Sequence, residues 1–213
     1  KVKDQNWIEK IKNNFKPIII DDLYIFDDDY YRFNHHPKIS IKIKASLAFG
    51  SGYHETTKYC LRAIKYISKS RRVKSLIDYG TGTGILGISF KKRIPSAKII
   101  YIDNDRNSIK IAKQNIRKNN LPFTGNIFLN PRDKKKYLKK KCYDIVVANI
   151  LFQPLKILIK EFENIIKYKS FLIVSGILEK QMRYLINKYR KFNFIIYKLY
   201  RENNWVTIIF KRI

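Results

Sequence analysis

An acid and three glycines alternate with other residues in one stretch, Asp78-Tyr79-Gly80-Thr81-Gly82-Thr83-Gly84. The preceding run, Val73 to Ile77, reads as a buried strand, and a helical pattern begins at Ile85. A strand, a glycine turn and a helix form the first half of a nucleotide-binding βαβ unit. Glycine suits the turn because a ligand that approaches the backbone closely would collide with a Cβ. The following helix offers that ligand unpaired N–H groups and a positive dipole end. Further on, the run Lys98-Ile99-Ile100-Tyr101-Ile102 again ends in an acid, Asp103. A carboxylate at the tip of a second strand is placed to accept hydrogen bonds from two ribose hydroxyls.

Two cofactor classes fit these residues. Gly82-Thr83-Gly84-Ile85-Leu86-Gly87 matches G-x-G-x-x-G, the dinucleotide fingerprint, and would suit a nicotinamide-dependent dehydrogenase. The stretch from Asp78 also matches D-x-G-x-G-x-G, which resembles the first motif of the S-adenosylmethionine-dependent methyltransferases. Asp78 favours the second class. A carboxylate before the glycines helps hold the cationic amino group of a methionine, and a pyrophosphate would gain nothing from it.

Six of the eight glycines lie in two segments, this one and Phe49-Gly50-Ser51-Gly52-Tyr53-His54-Glu55-Thr56-Thr57. In the second segment Thr56 and Thr57 open a helix running through Cys60, Leu61, Ile64 and Ile67. A threonine there can simply cap the helix. The glycine clustering points further, to a loop that closes over a ligand. His54-Glu55 lacks the second histidine of H-E-x-x-H, so a zinc protease is excluded, and His35-His36 has no third ligand at suitable spacing.

The segment Phe49 to Thr57 resembles the F-G-T-G-x-H-x-T-T signature of the bacterial enzymes that methylate large-subunit ribosomal protein eleven, with Ser51 in place of the usual threonine. Leu76 to Leu86 resembles that family's cofactor loop, Val146-Val147-Ala148-Asn149-Ile150-Leu151 its fourth-strand motif, and Ser175 to Leu178 and Glu202 to Val206 its C-terminal signatures. The resemblance covers about Trp7 to Phe210. It implies an S-adenosyl-L-methionine site formed by Phe49, Thr57, Asp78, Gly80, Gly82, Asp103 and Asn149, with a large-subunit ribosomal protein as the methyl acceptor. Asn149 is the expected catalytic residue, because its amide oxygen can accept an N–H bond and aim an amine lone pair. Asn149-Ile150-Leu151-Phe152 also resembles N-P-P-Y, but both prolines are missing, which argues against a nucleobase or amide acceptor. Phe152 departs from the smaller residue expected in the ribosomal-protein family.

The elements that must position these residues follow in order. Short strands are expected at Ile18 to Ile20, Leu23 to Phe26 and Ile39 to Ile43. Asp105 can cap a helix from Arg106 to Lys118, and strands follow at Asn126 to Leu129, Tyr143 to Ala148 and Phe171 to Ser175. A helix can start at Pro154, another spans Glu179 to Lys191, and Phe194 to Tyr200 and Trp205 to Phe210 form a hairpin. This pattern predicts an α/β fold with a mostly parallel sheet and an antiparallel edge. It resembles the seven-stranded class I, Rossmann-like methyltransferase fold.

Residues 45–213 are the expected methyltransferase domain. Residues 1–44 would hold a linker helix over Gln5 to Asn14, with Trp7 near its start, and the short strands. The family's N-terminal substrate domain is expected to be absent from these residues, so either a catalytic part of a longer protein or a protein that has lost the domain is the expectation. Hydrophobic residues make up 45% and aromatics 14%, which indicates a globular chain. No apolar run has the length of a membrane span. Cys60 and Cys142 are isolated, so no disulfide framework is expected and a reduced, cytoplasmic setting fits. The net charge of +28 reads either as a dispersed, solvated surface or as a nonspecific RNA contact. A basic RNA- or ribosome-binding module without catalysis is therefore a third reading beside the two enzymes.

Overall fold

The computed structural model describes residues 17–27, 38–44, 54–69, 73–122, 126–129 and 138–213, the backbone alone at 126–129. The expected linker helix, His35-His36, and Phe49 with its glycines lie outside these residues.

A seven-stranded sheet carries the fold. Its strands are β4 (Ser75–Tyr79), β5 (Lys98–Ile102), β6 (Asn126–Leu129), β7 (Tyr143–Asn149), β8 (Ile166–Leu178), β9 (Phe194–Glu202) and β10 (Trp205–Arg212), in the order β6-β5-β4-β7-β8-β10-β9. All pairings are parallel except those of β10, which runs antiparallel to β8 and β9. The expected mostly parallel sheet with an antiparallel C-terminal hairpin is therefore present.

Helices α1 (Glu55–Ser68) and α2 (Ile85–Arg93) pack on one face. On the other, α4 (Phe152–Ile165) and α5 (Glu179–Arg190) bury Leu155, Ile159, Phe162, Leu185 and Tyr189 against Val146, Val174 and Ile208. Helix α3 (Arg106–Lys118) follows β5. The central strands read as unbroken apolar runs because both faces are covered. Asp105 caps α3 as expected, accepting from the N–H groups of Asn107 and Ser108.

A smaller sheet, β1 (Ile18–Ile20), β2 (Leu23–Phe26) and β3 (Ile39–Lys42), shares the core of α1 and α2 through Leu23, Ile25 and Ile41. Asp22 fixes it there with a two-bond fork to Arg93, at 2.9 and 2.8 Å. That hydrogen-bonded guanidinium holds the Asp22 carboxyl down at about 2. Asn119 pairs with both backbone groups of Lys42, and Asn115 joins Lys44 N–H to Thr83 C=O. The small sheet, α3 and the glycine loop are thus tied together by two amides.

Several element ends differ from expectation, three of them with a clear physical reason. Helix α4 begins at Phe152, with Pro154 inside its first turn, where a missing N–H costs nothing. His54, not a threonine, caps α1: its Nδ1 accepts from Thr56 N–H, and Thr56 and Thr57 are buried in the first turn. Strand β8 is far longer than Phe171 to Ser175: β10 supplies antiparallel partners as far as Leu178, and at the other end Ile166 pairs with Tyr143 of β7.

Candidate functional site

The chain runs outward from β4 to β5 and β6, then returns to place β7 on the other side of β4. The crevice outside the carboxyl ends of β4 and β7 is the topological switch point, where open α/β sheets bind ligands. Tyr79 pairs with Ala148, so Gly80 and Asn149 emerge side by side. Asp103 emerges next to them from β5.

A cavity of about 920 Å³ lies there. Gly80, Gly82, Asp103, Asn104 and Ser108 line one part of it, and His54, Thr56, Asn149, Leu151, Gly176 and Trp205 line another. Its size falls within the ordinary range for small-molecule sites, roughly 300–1,000 Å³. Among the described lining residues Asp103 is the sole acid. One of its oxygens accepts from Gly82 N–H at 2.9 Å, the other from Asp105 N–H at 3.0 Å. The carboxylate is thereby oriented while retaining lone pairs for a ligand. Gly82 itself has φ +54, a conformation that a β-branched residue rarely adopts.

Asp78 lies beneath the glycine loop and is not among the lining residues. Its Oδ2 accepts from Thr81 Oγ1 at 2.9 Å and from Gly87 N–H at 3.0 Å. It therefore serves as a cap for α2, whose own N-cap residue is Gly84 and has no side chain to do so. Burial pushes the Asp78 carboxyl up to about 7, against the two hydrogen bonds, with nearby Asp103 adding to the rise. Its Oδ1 is buried without a partner among the described residues.

Asn149 is 8% exposed. Its Nδ2 donates to Thr57 Oγ1 at 3.3 Å, and its Oδ1 is buried with no partner among the described residues. A buried acceptor without a donor costs free energy, on the order of 1–3 kcal/mol, which makes Asn149, on the cavity lining, a candidate for a ligand contact. Thr57 lies behind Asn149 and not on the cavity wall, where its neighbour Thr56 stands.

Several lining residues were not singled out from sequence. His54 and Trp205 meet edge to face, 4.8 Å between centroids at 74°. Gly176 sits in a bulge where β8 gains a residue opposite Val206 to Ile208, with φ +81 and its Cα against the Ile150 carbonyl. That bulge brings the end of β8 onto the residue after Asn149. The sequence signals for it were a glycine near a strand end and the resemblance of Ser175 to Leu178 to a family signature. Phe152 turns away from the cavity and packs edge to face on Tyr184, 5.7 Å between centroids, so its departure from expectation falls outside the pocket wall.

The sequence of a family described as ribosomal protein L11 methyltransferase (PrmA) matches residues 1–213. A protein of Nitratiruptor sp. named ribosomal protein L11 methyltransferase is 35% identical over 213 residues, covering 99% of this chain and 70% of its own length. The chain belongs to the ribosomal protein L11 methyltransferase family. A namesake from Campylobacter jejuni subsp. doylei is 32% identical over 209 residues, with 98% of this chain and 70% of that protein covered. The crystal structure of a ribosomal protein L11 methylase from Lactobacillus delbrueckii subsp. bulgaricus superposes with TM-score 0.81 at 24% identity, over 93% of this chain and 99% of that one. Membership of the L11 methyltransferase family makes this chain a methyltransferase, and the shared architecture is the methyltransferase fold.

Proposed function

We propose that this chain transfers methyl groups from S-adenosyl-L-methionine to lysine side-chain or N-terminal amino groups of ribosomal protein L11. The observation that carries the chemistry is Asn149, which lines the cavity and whose Oδ1 is buried with no partner among the described residues. S-adenosylmethionine supplies an electrophilic methyl on a cationic sulfur. Gly80 and Gly82 give that cofactor backbone to lie against, Asp103 would accept its ribose hydroxyls, and Asp78 acts through the loop that it holds. Phe49 is kept as a cofactor contact on resemblance alone.

The acceptor amine must arrive neutral, although a lysine ordinarily titrates near 10.4. Ile150, Leu151, Ile157 and Trp205 give the cavity lining an apolar character that disfavours the ammonium, and the one acid among the described lining residues is Asp103 at the end of β5. Asn149 Oδ1 accepts one amine N–H, and Thr57 keeps the amide from turning. S-adenosylmethionine held there would supply its methyl to the aligned nitrogen lone pair, with S-adenosylhomocysteine as the leaving group and the extra amine proton passing to water. Positioning supplies most of the acceleration, and no side chain is assigned as a base.

The dehydrogenase reading is disfavoured by Asp78. It occupies the N-terminus of α2, where a pyrophosphate would need the N–H groups free. A cytoplasmic location accords with a ribosomal protein as acceptor. Among the described residues no helix is long and apolar enough to cross a membrane. Calorimetric titration with S-adenosylmethionine and NAD, followed by mass spectrometry of L11 incubated with the chain, tests the proposal. Binding of NAD alone, or unmodified L11 despite cofactor binding, would overturn it.

A further inference from the structure

One strip of the surface, on the α1 side of the sheet edge, interleaves aromatic rings with cations. Helix α1 presents Tyr59, Arg62 and Tyr66 at a spacing that puts them on one face. Strand β9 is the sheet edge and brings Tyr197, Lys198 and Tyr200 alongside. Tyr59 stacks on Tyr200, 5.2 Å between centroids, and Tyr66 meets Tyr197 at 6.1 Å. Lys198 Nζ sits 4.1 Å from the Tyr66 centroid and 5.3 Å from that of Tyr200, and Lys211 stands 5.9 Å from Tyr197. Neither lysine has a carboxylate partner among the described residues. Tyr66 and Tyr197 remain 39% and 46% exposed.

We infer that this strip, none of whose residues lines the methyl-transfer cavity, binds single-stranded RNA, with bases stacked on Tyr66 and Tyr197 and phosphates held by Lys198 and Lys211. The charge is complementary: the chain carries +28 and the strip keeps two cations unneutralised. The aromatic faces choose the partner. An acidic peptide has few rings to place on them, and a duplex hides its bases, whereas a single strand offers a face at every nucleotide. An exposed cation–π contact is weaker than a base stacked on the same ring, so Lys198 can leave the tyrosines for a phosphate at a net gain. The choice of RNA rests on the proposed ribosomal acceptor; the stacking strip itself does not.

The test is fluorescence anisotropy with a labelled single-stranded RNA of about 12 nucleotides, the site size of such grooves. Heparin serves as a polyanion without bases, and a duplex of the same length as a strand with its bases hidden. Tyr66→Ala with Tyr197→Ala leaves the net charge unchanged. It should weaken RNA binding about thirtyfold or more, the lower end expected for two lost stacking contacts, while heparin binding stays the same. Tyr66→Phe with Tyr197→Phe should retain RNA binding, which separates stacking from misfolding. Lys198→Gln should lower the slope of log affinity against log salt by about one. Methylation of L11 by the double alanine variant should be unchanged, so a failure here leaves the proposed activity standing. Equal binding of RNA by the wild type and the double alanine variant overturns the inference, as does equal preference for duplex and single strand.

Discussion

Asn149 and Thr57 show how a side chain is prepared for one contact. The Thr57 hydroxyl takes the amide nitrogen, and the oxygen is buried with no partner among the described residues. Asn149→Ala should lower kcat by a larger factor than it lowers cofactor affinity, because its proposed bond strengthens as the amine is aligned. Single-turnover rates and calorimetry together check this, and equal losses would make Asn149 a cofactor contact only. Asp103→Ala should weaken cofactor binding by about 1.5–3 kcal/mol, the range for hydrogen bonds to a charged group. Gly82→Val should abolish binding, since valine resists φ +54 and fills the cavity edge. Asp78 predicts a pH effect. Its carboxyl titrates near 3.8 when unfolded and about 7 when folded, so the folded state keeps a proton that the unfolded chain releases. Stability is therefore lost as pH rises from about 4 to 7, and the full penalty is present above that window. Asp78→Asn removes this slope. Its melting temperature relative to wild type should be higher at pH 8 than at pH 5, and a constant difference would contradict the raised carboxyl.

The β9–β10 hairpin links two elements that the site needs. Its turn residues, Asn203 and Asn204, have φ +48 and +64, the pair of left-handed conformations that a two-residue hairpin turn of the favoured twist demands. Asn203 Nδ2 donates to Glu55 at 2.8 Å, and Lys58 pairs with Glu202 at 3.2 Å. The hairpin tip is thus fastened to the first turns of α1, which holds Trp205 against His54. Asn204→Ala should destabilise the chain by about 1–2 kcal/mol, since alanine pays for the left-handed backbone, whereas Asn204→Gly should be neutral or better. Thermal unfolding of both variants checks this. If alanine is tolerated as well as glycine, the turn does not hold its geometry in solution.

At the scale of the molecule, a ligand that binds only the folded chain must raise its stability. S-adenosylhomocysteine at 100 times its Kd should add about 2.7 kcal/mol. For a chain of this size that corresponds to roughly 5–10 °C in melting temperature. NAD at the same concentration should leave the transition in place. The reverse pattern would revive the dehydrogenase reading.

Periodicity and local chemistry were enough to read the strand, glycine loop and helix around Asp78, the cap at Asp105, the acid at Asp103 and the C-terminal hairpin. Each of these depends on residues close together in the chain. The backbone must turn where Gly82 allows it, and a helix must start where Asp105 satisfies its N–H groups. Parallel pairing of β4 with β7 brings Gly80 to Asn149 across some seventy residues of intervening chain, and only the folded sheet decides that neighbour. The same holds for Thr57 behind Asn149, separated by 92 positions. Asp78 is the plainest case. Its place before the glycines suggests a ligand contact, but burial beneath the loop turns the carboxylate to Thr81 and Gly87. Gly176 fell within a family signature, but its conformation was not legible, because its positive φ answers to a bulge in the pairing with the antiparallel partner β10. Local sequence determines which conformations are cheap; which surfaces meet is settled by long-range pairing and burial, whose energy exists only once the chain has closed.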